Sequence, residues 1–236
     1  VRPRPRVVVV STGSELVEPG TPLSAGQSFD SNSLALTTAC IEAGAIAYRV
    51  GIIPDDDRKM LDTIEDQLVR ADLLLTSGGV TTGSYDVVRE VLSRLGPVGF
   101  HQVAMQPGLP QGFGTIGPDS VPVFALPGNP VSAMVSFEVF VRPALRRMLG
   151  AEKVLRPLVS ALATTPLASP PGKRSFLRVW LEVKDGAYGV TPVSGPGAQA
   201  MAGFSRANAL AIVPEAVEQV AAGMPVQVMM LERRAV

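Results

Sequence analysis

The chain has little with which to perform thiol, imidazole or aromatic chemistry. Its 236 residues include one cysteine, one histidine and one tryptophan. A single cysteine, Cys40, excludes an intrachain disulfide, and its place in a predicted amphipathic helix reads as a small buried hydrophobe. That usage suits a reducing compartment. The lone His101 has no nucleophile-elbow pattern near it, which argues against a serine triad. With no cysteine–histidine cluster there is no zinc site of standard type. Neither sign of charge predominates: Lys plus Arg and Asp plus Glu number 21 each. There is thus no global basic field of the kind that general nucleic-acid binding needs, although a local phosphate pocket remains open. No apolar stretch is long enough to span a membrane. Val1-Arg2-Pro3-Arg4-Pro5-Arg6, followed by only four valines, is not a signal peptide. A cytoplasmic protein is expected. The chain does not begin with methionine, which fits a fragment or a processed product.

What is present is a pair of glycine-rich loops, each directly after a buried-looking strand. Leu73-Leu74-Leu75 leads into Thr76-Ser77-Gly78-Gly79-Val80-Thr81-Thr82-Gly83-Ser84-Tyr85-Asp86. Val123-Phe124-Ala125 leads into Leu126-Pro127-Gly128-Asn129-Pro130-Val131-Ser132-Ala133. A strand, a glycine turn and a helix form an anion site in an open α/β sheet, because glycine admits close backbone approach and helix N-terminal amides face the charge. Two such loops predict a phosphate-bearing ligand across the carboxyl ends of neighbouring strands. Neither loop matches the P-loop or G-x-G-x-x-G, so ordinary NTPase and dinucleotide readings lose support.

Strand and helix alternate from Val7 to Gly150. Val7 to Val10, Ala45 to Ile53, Leu73 to Leu75, Phe100 to Met105, Gln111 to Gly114 and Pro122 to Leu126 read as strands. Ser31 to Ala43 reads as a helix with Leu34, Thr38 and Ile41 on one face, capped by Asp30 or Ser31 and stopped by Gly44. Further helices are expected from Arg58 to Arg70, Val87 to Leu95 and Val131 to Leu149, the last with Asn129 as N-cap and Pro130 at N1. The pattern predicts an α/β fold with a mostly parallel, three-layer sheet over residues 1–150. Prolines then interrupt the chain, Phe176 to Val183 alternates like a strand, and Asp185-Gly186 reads as a hairpin turn. Residues 151–236 are expected to form a small β-rich domain.

Carboxylates stand beside these loops. Glu15 follows the first strand in Ser11-Thr12-Gly13-Ser14-Glu15-Leu16, Asp55 and Asp56 follow the second, and Asp86 closes the loop after the third. A parallel sheet puts them all on one edge. Hard oxygen ligands beside phosphate sites are how magnesium is usually held. Taken singly, Glu15, Asp56 and Asp57 read as solvated loop acids or helix caps, whereas Asp86 reads either as a site residue after the glycine loop or as a cap for the helix from Val87. The convergence of four loops favours a site.

Ser-Thr-Gly-x-Glu-Leu, Asp30-Ser31-Asn32, Ile53-Pro54-Asp55-Asp56, Thr-Ser-Gly-Gly-Val-x-x-Gly-x-Tyr-Asp, Met105-Gln106-Pro107-Gly108-Leu109-Pro110 and Leu-Pro-Gly-Asn-Pro-Val-Ser-Ala occur in this order. The set resembles the molybdopterin molybdenumtransferase family, enzymes related to the gephyrin E domain. The resemblance implies magnesium-assisted insertion of molybdate into adenylated molybdopterin, with release of AMP. It implies roles for Glu15, Asp55 and Asp86 as catalytic and metal-handling residues. It also implies that Thr12, Gly13, Ser77, Gly78, Gly79, Gly83 and Gly108 contact the pterin nucleotide, with Pro127, Gly128, Asn129 and Pro130 as a second wall. A homodimer that completes the cleft and a handover from a molybdopterin adenylyltransferase are further implications. The mean hydropathy of +0.27 suits a buried dimer surface, although alanine and valine enrichment produces the same value. Members of the family often carry lysines where Gln102 and Gln106 stand, and glutamine brings no charge to an oxyanion. Arg174 and Arg178 would compensate from the tail, or serve as solvated strand-edge charges. Full-length members also carry a region ahead of the α/β domain. Two other readings remain: an attenuated or non-catalytic pterin-binding scaffold, and the sister adenylyltransferase.

Overall fold

The structure, a computed structural model, describes residues 2–79, 87–184, 186–193 and 201–231. The chain forms two compact units, one running to Val103 and resuming over Gly108–Val154, the other combining Ala104–Pro107 with the chain from Leu155. The elements of the first part of the chain are β1 (Arg6–Ser11), β2 (Leu16–Val17), β3 (Ser28–Phe29), α1 (Asn32–Glu42), β4 (Ile46–Arg49), α2 (Asp57–Leu68), β5 (Leu73–Ser77), α3 (Val87–Leu95) and β6 (Val98–Gln102). After β7 (Met105–Gln106), which belongs to the second unit, come β8 (Pro110–Ile116), β9 (Val121–Leu126) and α4 (Pro130–Ser136). A π-helical turn (Phe137–Val141) and α5 (Arg142–Met148) follow.

The main sheet has the order β4-β1-β5-β9-β8-β6. Strands β4, β1, β5 and β9 are parallel, and β8 runs antiparallel to both its neighbours. Val7 to Val10 and Leu73 to Leu75 are wholly buried, as strands covered on both faces must be. Val8, Val10, Leu74, Val123 and Ala125 pack with Met60 and Ile64 of α2 and with Val88, Val91 and Leu92 of α3. Helix α1 lies against β1 on the other face.

The inward face of α1 differs from the one expected. Leu34 and Ile41 are exposed, whereas Ser33, Leu36, Ala39 and Cys40 are buried. The cause is polar. Ser33 bonds Asp30 through both its N–H and its hydroxyl, and this draws the Ser33 side of the helix inward. Burial pushes the Cys40 thiol up to about 12, so it is an inert core group. The second strand is shorter than expected, ending at Arg49. The expected helix from Val131 to Leu149 is one rod with a π-helical turn inside it. That turn stands just ahead of Pro143, which has no N–H to give a carbonyl four residues back, and a wider turn lets the helix continue.

The second unit contains β7, then β10 (Leu158–Ala163), β11 (Leu167–Ala168), β12 (Arg174–Lys184) and β13 (Ala187–Pro192). Helix α6 (Met201–Ser205), β14 (Ala209–Val213), β15 (Gln219–Val220) and β16 (Pro225–Met230) complete it. Its sheet has the order β13-β10-β16-β14-β12-β7, and β13 also pairs β12, so five strands close on themselves. Long β12 serves two neighbours in turn, its first residues pairing with β7 and its last with β13. Val179, Leu181, Val190, Ala209, Ala211 and Val228 fill the interior. Asp185 lies outside the described residues, while Lys184 and Ala187 pair across the expected hairpin.

The facing of α1 generates a prediction. Leu36→Ala lowers unfolding stability by about 2–5 kcal/mol, whereas Leu34→Ala changes it by less than about 0.5 kcal/mol. Urea unfolding followed by circular dichroism separates the two, and equal effects contradict the register.

Candidate functional site

Parallel strands β1, β5 and β9 end on the same edge of the sheet, and their following loops surround a cavity of about 700 Å³ within the first unit. Thr12, Gly13 and Glu15 line it from the loop after β1, and Asp55 from the loop after β4. Ser77, Gly78 and Gly79 line it from the first glycine loop, and Gly128, Asn129 and Pro130 from the second. The expected residues of four loops therefore share one space. Pro127 is buried behind it and its carbonyl accepts from Ser77 Oγ at 3.4 Å. Neither Pro127 nor Gly108 is among the lining residues. Gly83 and Asp86 lie outside the described residues.

Gly78 is where the strand ends meet. Its φ is +104°, and a Cβ there would stand 2.6 Å from the Thr12 carbonyl oxygen, so only glycine fits. Its N–H donates to the Leu126 carbonyl, and Thr12 N–H donates to Ser77. Thr12 Oγ1 is buried and has no hydrogen-bond partner among the described residues.

The acids divide by environment. Asp56 caps α2, its carboxylate accepting from Lys59 N–H at 2.9 Å. Asp57 begins that helix and stands 3.9 Å from Arg94. Asp55 is different. Its carboxylate accepts from Ser14 N–H at 3.0 Å while its own N–H donates to Ser14 Oγ at 3.1 Å. This exchange ties the loop after β4 to the loop after β1. Glu15 folds back over Gly13, with one carboxylate oxygen 2.7 Å from where a Cβ at that glycine would stand.

Sequence reasoning assigned no site role to Ser28, Phe29, Asp30, Ser31 or Asn32, which form a further wall of the cavity. The signal was present in the Asp30-Ser31-Asn32 motif. Asp30 is wholly buried and accepts from Ser11 Oγ at 2.8 Å, from Ser33 N–H and hydroxyl, and from Arg49 at 3.2 Å. Arg49 also holds Glu18 through two contacts of 2.7 Å. Burial pushes the Asp30 carboxyl up, but the donors on Ser33, Ser11 and Arg49 outweigh it and leave the group below the usual carboxylate range. Asp30 is fully engaged, which removes it as a metal ligand.

One expectation is corrected. The N-terminal amides of α4 do not face the cavity unpaired: Asn129 Oδ1 accepts from Val131 N–H and Ser132 N–H, each at 3.1 Å. Asn129 lines the cavity as a cap, which accounts for Asn-Pro at that position. Of the two readings of Arg174, the structure agrees with the strand-edge charge: it is half exposed and pairs with Glu215 at 3.1 Å. Gln102 and Gln106 are both exposed.

The lining residues include Glu15, Asp30 and Asp55 and, among the described residues, no lysine or arginine. Among those same residues no three of His, Cys, Asp and Glu stand close enough to hold a metal alone. Among the described residues no helix is long and apolar enough to cross a membrane.

A mixed α/β domain with its ligand cavity at the carboxyl edge of the sheet, followed by a β-rich unit, defines the class. Residues 8–147 match the family described as a probable molybdopterin binding domain, and residues 160–231 match the MoeA C-terminal region (domain IV). The chain belongs to this molybdopterin-binding family, in its MoeA-type branch. It is 45% identical over 234 residues to molybdopterin molybdenumtransferase 2 of Mycobacterium tuberculosis, covering 97% of this chain and 57% of that protein. It is 30% identical over 230 residues to the molybdopterin molybdenumtransferase of Bacillus subtilis, covering 97% and 53%. The crystal structure of the molybdopterin biosynthesis MoeA protein from Pyrococcus horikosii superposes with a TM-score of 0.83 at 34% identity, covering 98% of this chain and 55% of that one. The chain thus spans little more than half the length of these relatives.

The Asp30 centre generates a prediction. A carboxyl held below its unfolded value of about 3.9 adds stability at every pH above that value, and the contribution is lost as pH falls through the folded value. Asp30→Asn lowers stability at pH 7 by about 1.5–3 kcal/mol and flattens the loss of stability below about pH 4. Urea midpoints across pH 2–7 test this, and parallel curves for the two proteins contradict it.

Proposed function

We propose that this chain carries the pterin-nucleotide site and the reacting residues for insertion of molybdate into adenylated molybdopterin, with release of AMP. One observation carries the proposal: Glu15, Asp55 and both glycine loops open on a single cavity at the carboxyl edge of the sheet. The matched family and the names of the relatives supply the substrate class. The work is assigned to residues 1–150, with 151–236 as the accompanying β-rich domain. The match of residues 160–231 to the MoeA C-terminal region favours this reading over the adenylyltransferase.

The electrostatics favour a divalent cation. A phosphoanhydride entering this cavity meets carboxylates, no lining lysine or arginine among the described residues, and a capped helix start. Without a cation its charge is opposed. Magnesium is typically held by one or two carboxylates together with substrate phosphates, and Glu15 and Asp55 offer that donor set. Asp86, outside the described residues, is proposed as a third ligand. The ion supplies charge neutralisation on the phosphoanhydride. Ser77, Gly78 and Gly79 bound the pterin nucleotide on one side and Gly128, Asn129 and Pro130 on the other, with Thr12 and Gly13 as the floor. Gly83, Gly108 and Pro127 are proposed to support these walls. Molybdate is the second substrate. A homodimer in the cytoplasm, supplied by an adenylyltransferase, completes the reading.

Calorimetry with adenylated molybdopterin, followed by assay of molybdate-dependent AMP release with magnesium, tests the proposal. Asp55→Asn keeps an acceptor for Ser14 N–H but loses the charge, and is expected to slow AMP release by about 100-fold or more. Undiminished release from the variant removes Asp55 from the mechanism, and failure of the parent chain to bind the pterin nucleotide overturns the proposal.

A further inference from the structure

The two glycine loops belong to different strands, yet one side chain joins them. Asn32, the first residue of α1, donates through Nδ2 to Ser77 Oγ and to the Gly128 carbonyl, both at 2.8 Å. A carbonyl can only accept, so Gly128 fixes which end of the amide faces it. Ser77 Oγ in turn donates to the Pro127 carbonyl, so it receives the Asn32 hydrogen. Both hydrogens of one planar group are therefore spent bridging the last residue of β5, where the first glycine loop begins, to the loop after β9. The amide oxygen has no partner: Asn32 Oδ1 is buried without a hydrogen bond among the described residues. A buried, unpaired acceptor costs stability, so this asparagine is poorly explained as a device for folding alone. Asn208 offers the contrast. It accepts from Leu181 N–H at 2.6 Å and donates to the Leu181 carbonyl at 2.8 Å, so both ends are satisfied.

We infer that Asn32 is a positioning residue that sets the separation of the two glycine loops and thereby shapes the cavity for the pterin nucleotide. The inference rests on the proposed function only for the identity of that ligand. Its placement is rigid, because the Asp30–Arg49 pair holds the start of α1 from beneath through Ser33, the residue next to Asn32.

The test uses Asn32→Asp, which keeps the shape and removes both donors, Asn32→Ala, which removes them without adding charge, and Asn208→Ala as the control. In the ligand-free chain, amide exchange of Gly78, Val131 and Ser132 is expected to quicken at least tenfold in both Asn32 variants and to stay unchanged in the control. Adenylated molybdopterin is expected to bind at least tenfold more weakly to both Asn32 variants. Their thermal midpoints are expected to fall no further than that of Asn208→Ala. Unchanged exchange overturns the inference, as does unchanged affinity or a larger loss of midpoint than in the control. If the parent chain does not bind the pterin nucleotide, the proposed function fails, and the bridge is then decided by the exchange measurement alone.

Discussion

The site depends on a close approach that only one residue type permits. At Gly78 the end of β5 passes so near the Thr12 carbonyl that no side chain fits, and Gly128 approaches from the third strand, a Cβ there standing 3.4 Å from the Gly78 Cα. Three parallel strands can therefore bring their loops to one point, and everything that lines the cavity is placed from it. The backbone supports the contact through Gly78 N–H to Leu126 and Thr12 N–H to Ser77. The side chains around it follow, Asn32 across the top and the Asp30–Arg49 pair beneath α1.

Much of this was legible in residue order. Buried strands covered on both faces appear as unbroken apolar runs, and Val7 to Val10 and Leu73 to Leu75 are of that kind. The caps were legible for the same local reason: Asn129-Pro130 and Asp56 act within three residues of themselves. The convergence of Glu15, Asp55 and the glycine loops followed from topology, since parallel strands place the loops that follow them on one edge.

What was not legible is long-range and polar. The facing of α1 is governed by Ser33 and its bonds to Asp30, so a count of apolar spacing selected Leu34 and Ile41, which lie outside. Asn32 reaches Ser77 and Gly128 across 45 and 96 residues, and no periodicity reports such a contact. By sequence the amides at the start of α4 suit an anion, but the same Asn129 that makes a good cap occupies two of them. A cavity that reads as phosphate-binding by its glycines is acidic by its side chains, and that tension gives a cation its place in the proposal.

The path of the chain through β7 has an effect on how this protein can be divided. Residues 104–107 leave the first unit, lie beside Arg174 and Ser175 of β12, and return. A terminal fragment starting at Leu155 would leave that stretch of β12 with an unpaired edge, an invitation to association between copies. A fragment ending at Val154 would carry β7 without its partner strand. A cut at the border between Val154 and Leu155 therefore yields two incomplete pieces, because the strand that finishes the second sheet is carried by the first piece.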